Sequence, residues 1–239
     1  MVAKVQRLPT YVQGLDDRMQ GGIPRGSVIL VEGGPGSMKS TLTYSILFNN
    51  ASRAGARGVY LTLEQPRQDL EDQMAGIGFD KSIDPAIDHK LTVIDLGELR
   101  RFLEEAREDE RRTDWFKSLR NQIHLLHQQG PMDIFVLDSL NALLALHPDS
   151  NPRLELFHFI KDLKNYPMTT FLIHEVQNDG LGLDATAGFL TDGIIRMEAK
   201  RTDDLVTLQL GVVKMRKTAH EHSFYPLVVQ RGGFQVVVR

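Results

Sequence analysis

The chain has 239 residues, of which 41% are hydrophobic, and a formal net charge of −3. That length and composition can bury a sizeable core, and the near balance of charge disfavours a strongly basic nucleic-acid-binding protein. The absence of cysteine excludes disulfides, thiolate metal sites and a cysteine nucleophile, and no apolar stretch approaches the roughly 20 residues of a membrane span. We therefore expect a cytoplasmic protein that forms one domain over residues 1–239.

The first strong signal is a glycine-rich stretch that lies between a predicted strand and a predicted helix. Residues 1–26 are rich in turn formers and predict a short helix and a turn. Residues 27–31 are almost all apolar, residues 33–41 read GGPGSMKST, and residues 42–50 have helical spacing. This order predicts a phosphate-binding loop, because glycine lets backbone N–H groups wrap an anion at the helix N-terminus.

The loop residues receive individual roles. We expect Lys39 to reach the β- and γ-phosphates and the hydroxyl of Ser40 to ligate Mg²⁺. The rest of the loop is expected to make the other contacts with the phosphates. These residues are Gly34, Pro35, Gly36, Ser37, Met38 and Thr41. Met38 departs from the pattern G-x-x-x-x-G-K-[ST], and its β-carbon would be strained if φ were positive. The alternative, an ordinary glycine turn, is disfavoured by the strand and helix on either side.

The next segments predict alternating strands and helices. Residues 58–63 form a second strand that ends at Glu64, Pro66 starts a helix, and residues 91–94 form a third strand. A βαβαβ run predicts a right-handed, mostly parallel sheet.

Residues 97–130 are dense in charges of both signs. We interpret them as solvated helices with ion pairs, and Asp114 is the predicted N-cap of the second helix.

Two further strands end in acidic residues. Residues 134–137 lead into Asp138, and a hydrophobic strand that ends in aspartate downstream of a phosphate loop predicts a Mg²⁺ ligand opposite Ser40. After a helix over residues 152–165, residues 170–173 lead into His174 and Glu175. Since the carboxyl ends of parallel strands meet at one sheet edge, the loop, Glu64, Asp138 and Glu175 are expected to form one site.

The last quarter of the chain shows different patterns. Residues 178–188 contain three glycines and predict a mobile loop. From residue 193 to residue 239 the hydrophobicity alternates, which predicts antiparallel strands at one edge of the sheet.

Taken in order, these motifs resemble the KaiC family of ATPases in the RecA superfamily. The resemblance covers nearly the whole chain. It depends on GLD at 14–16, GGIPRGS at 21–27, the phosphate loop, LEQP at 63–66, LDS at 137–139, TT at 169–170 with Glu175, DG at 192–193 and KMRKTAH at 214–220. It implies an α/β fold of the RecA-like P-loop type, with a mostly parallel twisted sheet, helices on both faces and C-terminal antiparallel strands. It also implies ATP and Mg²⁺ as cofactors.

The resemblance assigns roles to several more residues. Glu64 matches the glutamate that polarises the attacking water, and Glu175, Thr218 and His220 are carried over as nucleotide contacts. The family usually has a second carboxylate after that glutamate, whereas this chain has Gln65, so slow hydrolysis is expected. The alternative for Glu64 is a carboxylate that only stabilises a helix N-terminus.

The late basic stretch implies assembly. Lys214 and Arg216 match residues that reach the γ-phosphate bound by a neighbouring subunit, which implies a homo-oligomeric ring, expected to be hexameric. Lys217 stands where the family has glycine. The alternative for Lys214 and Arg216 is a pair of solvated charges at a strand end.

We therefore expect a slow Mg²⁺-dependent ATPase that acts as a ring-forming regulatory or motor module with an unidentified protein partner. Met38 and Gln65 favour an alternative, a nucleotide-dependent assembly switch with little or no turnover. A recombinase-like DNA-binding protein is a third hypothesis, disfavoured by the near-neutral charge and the lack of a basic arm.

Overall fold

The computed structural model describes residues 5–105, 114–146, 151–176, 183–202 and 205–238. The strands are β1 (Arg7–Leu8), β2 (Ile23–Pro24), β3 (Val28–Gly33), β4 (Gly58–Thr62), β5 (Leu91–Asp95), β6 (Ile134–Asp138), β7 (Thr169–Glu175), β8 (Gly193–Thr202), β9 (Leu205–Met215), β10 (Phe224–Gln230) and β11 (Gly233–Val236). The α-helices are α1 (Lys39–Ala54), α2 (Arg67–Gly76), α3 (Pro85–Asp88), α4 (Leu96–Glu105), α5 (Trp115–Gln128), α6 (Leu140–Ala145), α7 (Pro152–Leu163) and α8 (Leu183–Leu190).

The strands β3 to β11 form one nine-stranded sheet with the order β11-β10-β9-β8-β3-β7-β6-β4-β5. The strands from β8 to β5 in this order are parallel, whereas β9, β10 and β11 pair antiparallel. The predicted fold class is therefore confirmed. Helical crossovers join the parallel strands, so their carboxyl ends lie at one edge of the sheet, which we call the carboxyl edge.

Each face of the sheet carries its own hydrophobic core. On one face, α1 packs through Tyr44 and Leu47 against residues that include Tyr60. On the other face, Phe116 of α5 and Phe159 of α7 pack with ring centroids 5.6 Å apart. Because both faces are covered, strands such as β3 and β6 are apolar almost throughout, as the sequence indicated.

Several local predictions agree with the structure. Pro66 is the N-cap residue of α2, and the Asp114 side chain accepts a hydrogen bond from the Lys117 amide at the start of α5. Glu98 of α4 forms salt bridges with Arg67 and Arg101, as expected for a charged surface helix. Residues 106–113 of this charged segment lie outside the described residues. No helix in the described parts of the chain is long and apolar enough to span a membrane.

The prediction of a mobile loop over 178–188 is wrong for residues 183–188, which belong to α8, while residues 178–182 lie outside the described residues. Glycine content alone favoured a loop. Tertiary contacts favour a helix, since Ala187 is buried in the core beneath α7, and Lys214 donates hydrogen bonds to carbonyl groups at the end of α8.

The antiparallel strands predicted for the C-terminal region are present, but the first of them does not lie at the edge of the sheet. β8 pairs parallel with β3 and antiparallel with β9, so it is an interior strand. Alternating hydrophobicity predicts a strand but does not reveal the direction of its neighbours.

Candidate functional site

A cleft of about 350 Å³ lies at the carboxyl edge of the sheet. The glycine-rich loop forms one wall, and residues at or after the ends of β4, β6 and β7 form the floor. The predicted site residues that line it are Pro35, Gly36, Met38, Lys39, Ser40, Thr41, Glu64, Asp138 and Glu175. The structure therefore brings together side chains that are separated by up to about 140 positions in the sequence, as expected for strand ends in a parallel sheet.

The last residue of β3, directly before the loop, has no room for a side chain. A β-carbon on Gly33 would lie 2.1 Å from the Met197 carbonyl oxygen and 2.7 Å from Ser37 Oγ. The Ser37 hydroxyl donates a hydrogen bond to the Gly34 carbonyl at 2.8 Å, which holds the loop closed. Gly34 and Ser37 are therefore part of the loop framework and do not line the cleft itself.

Met38 adopts the left-handed conformation that the usual glycine would adopt, with φ +68° and ψ +29°. An L-residue with a side chain pays roughly 1–2 kcal/mol for this conformation. Met38 is the N-cap residue of α1 and offers no side-chain acceptor to the first-turn amides. The first turn of α1 therefore has no side-chain cap where it meets the cleft.

Lys39 is buried at the base of the loop, and its Nζ donates a hydrogen bond to the Gly34 carbonyl at 2.9 Å. Burial lowers the pKa of Lys39, while the carboxylates of Glu175, Asp138 and Glu64 act in the opposite direction. These carboxylates favour the charged ammonium form of Lys39 and partly offset the effect of burial.

Asp138 is almost fully buried, and Tyr60 Oη donates a hydrogen bond to its Oδ2 at 2.6 Å. Burial raises the pKa of Asp138, and hydrogen bonding from Tyr60 and from Ser40 partly offsets that rise. Burial also raises the pKa of Tyr60 well above its ordinary value, so its hydroxyl stays protonated and remains a donor. Tyr60 therefore fixes the orientation of the Asp138 carboxylate.

Glu64 is exposed at the mouth of the cleft and accepts a hydrogen bond from Ser139 Oγ. Glu64 also lines an adjacent groove together with Gln65, Pro66 and Asp95, but Gln65 does not line the cleft itself. The position where the family usually has a second carboxylate thus lies away from the phosphate loop. Glu64 is the member of the pair that faces it.

Several residues of the site were given no role from the sequence. Gln73 of α2, Ser139 and Ile173 line the cleft, and Asn141 clamps the backbone of Glu175 by accepting from its amide at 2.8 Å and donating to its carbonyl at 3.0 Å. Ser139 belongs to the LDS motif at 137–139, which was recognised without a role for the serine. Gln73 reaches the cleft only through the packing of α2, which no local pattern reveals.

Lys214 and Arg216 lie at the opposite, amino edge of the sheet. Gly193, which pairs with Ile29 near the start of β3, is also paired with Met215. Five residues of strand at about 3.3 Å each place these cations roughly 17 Å from the edge that carries the loop. The structure therefore does not bring them to the cleft of their own chain.

Both cations are engaged within the chain. Lys214 Nζ donates to the carbonyls of Gly188 and Thr191, at 2.9 and 2.6 Å, and Arg216 forms a 3.1 Å salt bridge with Asp192. Burial would raise the pKa of Asp192, but hydrogen bonds from Lys164, Arg216 and a backbone amide outweigh it, so the pKa is lowered. Asp192 thus stays ionised beside Arg216.

Thr218 and His220 also lie away from the cleft. Thr218 Oγ1 accepts a 2.5 Å hydrogen bond from Arg7, whose guanidinium also donates to the Lys217 carbonyl. The rings of His220 and His222 are 4.4 Å apart. Lys217, which stands where the family has glycine, has φ +58°. The loop therefore keeps a conformation that glycine adopts without strain.

Comparisons with known proteins agree with this geometry. The family model described as "ATPase: KaiC" matches residues 8–239. A UPF0273 protein of Thermotoga maritima is 24% identical over 97% of this chain and 96% of its own length, and the circadian clock protein KaiC2 of Synechocystis is 23% identical over 97% of this chain and 40% of its own. A solved structure, the KaiC-like protein PH0186 of Pyrococcus horikoshii, superposes with a TM-score of 0.77 and 24% identity, covering 98% of this chain and all of that one. The chain belongs to the KaiC family of ATPases.

Proposed function

We propose that this chain binds Mg-ATP in the cleft at the carboxyl edge and hydrolyses it slowly, as a subunit of a homo-oligomeric ring. The observation that supports this most is the convergence of Lys39, Ser40, Glu64 and Asp138 on one cleft. A phosphate loop next to a buried aspartate and an exposed glutamate contains the groups that nucleotide hydrolysis requires.

The residues present fit both cofactors. The glycine-rich loop and the N-terminal end of α1, whose first turn has no side-chain cap, form a cradle for phosphate oxygens. For the cation, Ser40 and Asp138 offer hard oxygen ligands. Among the described residues no group of three or more His, Cys, Asp or Glu forms a metal cage, which suits Mg²⁺ bound by one or two protein groups together with phosphate and water.

In this proposal each side chain has one task. Lys39 binds the terminal phosphates, Ser40 and Asp138 hold Mg²⁺, and Glu64 orients a water molecule and accepts its proton. The bound Mg²⁺ supplies neutralisation of the phosphate charge. Because Lys214 and Arg216 lie at the opposite edge, they act on the nucleotide of a neighbouring chain, which requires head-to-tail assembly into a closed ring.

The test is Mg-ATP turnover measured as a function of protein concentration, with size-exclusion chromatography alongside. Turnover per chain should rise with concentration as rings form. Lys39→Ala should abolish nucleotide binding, and Glu64→Gln should reduce turnover at least about 100-fold while nucleotide still binds. Glu155→Gln on α7, which does not line the cleft, is the matched control. Turnover that is independent of concentration would contradict the ring.

A nucleotide-dependent assembly switch remains the second candidate, because Met38 holds the loop in a strained conformation and Gln65 replaces a carboxylate. In that case ATP would drive assembly without turnover above background. Glu64→Gln would then leave both assembly and the background rate unchanged, which separates the two candidates.

A further inference from the structure

A second cleft, of about 130 Å³, lies at the amino edge of the sheet. It opens where β4 and β5 begin, beside the end of α5. Gly58 pairs with Leu91 at this edge, whereas Thr62 pairs with Asp95 at the carboxyl edge. Four residues of strand, roughly 13 Å, separate the two edges, so this cleft is not an extension of the nucleotide site.

The charge of this cleft is distinctive. Arg57, His89 and Lys90 line it, and none of its lining residues is acidic, although the chain as a whole carries a net charge of −3. Within the described ranges no salt bridge joins these three side chains to a carboxylate, whereas Lys81 nearby pairs with Glu71. A concave surface lined by one sign of charge concentrates ions of the opposite sign.

The backbone at Gly130 leaves room for the side chain of Arg57. Gly130 has φ +151°, and a β-carbon there would lie 2.3 Å from Arg57 Nη1. The guanidinium therefore packs directly against the glycine, and any larger residue at position 130 would displace it. Thr92 and Gln129 add a hydroxyl and an amide to the lining, and both can hydrogen-bond to an oxyanion.

We propose that this cleft binds a small phosphoryl dianion, either inorganic phosphate or the phosphate group of a monoester. Arg57 supplies a planar fork for two phosphate oxygens, and Lys90 supplies a compact positive charge. The small volume suits one phosphoryl group and excludes a whole nucleotide.

The competing explanation is structural. Gly55, at the C-terminal end of α1, lies close to Lys90, with Nζ 3.5 Å from where a β-carbon on that glycine would be, and α5 ends at the same cleft. The cations could serve only to balance the negative ends of these helices. That explanation predicts a stability loss when the cations are removed and no bound anion.

The experiment uses the full chain with Lys39→Ala, which removes phosphate binding by the nucleotide cleft. Inorganic phosphate and glycerol phosphate are titrated by calorimetry at constant ionic strength. Adding Arg57→Gln and Lys90→Gln should weaken phosphate binding at least about tenfold. The charge-matched pair Lys117→Gln, in the first turn of α5, and Lys161→Gln, on α7, should leave it unchanged, because both side chains are exposed and neither lines this cleft. Binding of phosphate but not of glycerol phosphate would identify the free anion as the ligand, and the reverse would identify an ester.

Three outcomes would overturn the proposal: no phosphate binding by the Lys39→Ala chain, equal weakening in the control pair, or a stability loss in the Arg57 and Lys90 variant with unchanged phosphate affinity. If that variant does not fold, the imidazole resonances of His89 in the Lys39→Ala chain decide the matter. They should shift on addition of phosphate and stay in place on addition of chloride. Resonances that do not move would reject the site.

Discussion

At the scale of single residues, the most informative feature is that two family glycine positions carry side chains here and keep the glycine conformation. Met38 and Lys217 have φ values of +68° and +58°. At both positions the left-handed backbone conformation is kept, although the glycine that adopts it most easily is replaced. The cost is local strain, which substitution can measure.

Lys217 offers the cleaner measurement, because its side chain is exposed and loses no packing when removed. Lys217→Gly should stabilise the chain by about 1 kcal/mol, since relief of the left-handed conformation exceeds the added entropy of glycine in the unfolded state. The measurement is the urea midpoint at constant m-value. Lys217→Ala keeps the β-carbon and should give no gain, and an equal gain from alanine would contradict the strain argument.

A second residue-scale prediction concerns the buried tyrosine beneath Asp138. Tyr60→Phe removes the 2.6 Å hydrogen bond that helps to lower the pKa of Asp138. The pKa of Asp138 should then rise further. Because Mg²⁺ binding needs the ionised carboxylate, which is lost as pH falls through this pKa, the acid limb of Mg²⁺-dependent nucleotide binding should move up by about one pH unit.

The control is the neighbouring buried tyrosine. Tyr44 and Tyr60 have ring centroids 5.6 Å apart, but within the described structure the Tyr44 hydroxyl has no hydrogen-bond partner. Tyr44→Phe should therefore leave the acid limb in place. Movement of the limb in both variants would show that core packing, and not the hydrogen bond to Asp138, sets the pH dependence.

At the scale of elements, α8 depends on a residue far away in the sequence. Lys214 Nζ donates to the carbonyls of Gly188, Phe189 and Thr191 at the end of this helix. Lys214→Met keeps the aliphatic stem and removes these bonds, so the free energy of unfolding should fall by about 1–2 kcal/mol. Urea unfolding measures it, with Lys200→Met on the exposed part of β8 as the control. An unchanged midpoint for Lys214→Met would contradict a structural role.

The same element shows why part of the fold could not be predicted from the sequence. The strand ends at Asp138 and Glu175 and the helix starts at Pro66 and Asp114 depend on local patterns, and the structure has them where the sequence indicated. α8 is short and glycine-containing, and contacts from α7 and β9 stabilise it. The parallel pairing of β8 with β3 is likewise a property of the assembled sheet, which periodicity does not encode.

In the candidate site, too, the residues that follow local sequence patterns were predicted, and those that depend on tertiary packing were not. The loop, Glu64, Asp138 and Glu175 were predicted to meet because parallel strand ends share an edge, and they line one cleft. Tyr60, Gln73 and Asn141 were missed because each acts through tertiary packing: Tyr60 from within a buried strand, Gln73 from the face of a helix, and Asn141 through the backbone of Glu175.

At the scale of the whole molecule, the groups proposed to act in hydrolysis lie at two opposite edges of the sheet. The nucleotide cleft lies at the carboxyl edge, and Arg216 lies at the amino edge, tied to Asp192. A chain with this arrangement has an incomplete site by itself if Arg216 takes part in hydrolysis. Head-to-tail contact between copies would join one carboxyl edge to the next amino edge at every interface.

Mixing two inactive variants tests this arrangement directly. Glu64→Gln impairs the cleft and keeps Arg216, whereas Arg216→Ala keeps the cleft and loses the cation. In a ring assembled from equal amounts of both, about one interface in four combines an intact cleft with an intact Arg216, so turnover should recover to about a quarter of the unmodified protein. If Arg216 acted within its own chain, every chain would carry a defect and mixing would restore nothing. Each variant reassembled alone is the control, and a mixed rate equal to the mean of the two would contradict action between subunits.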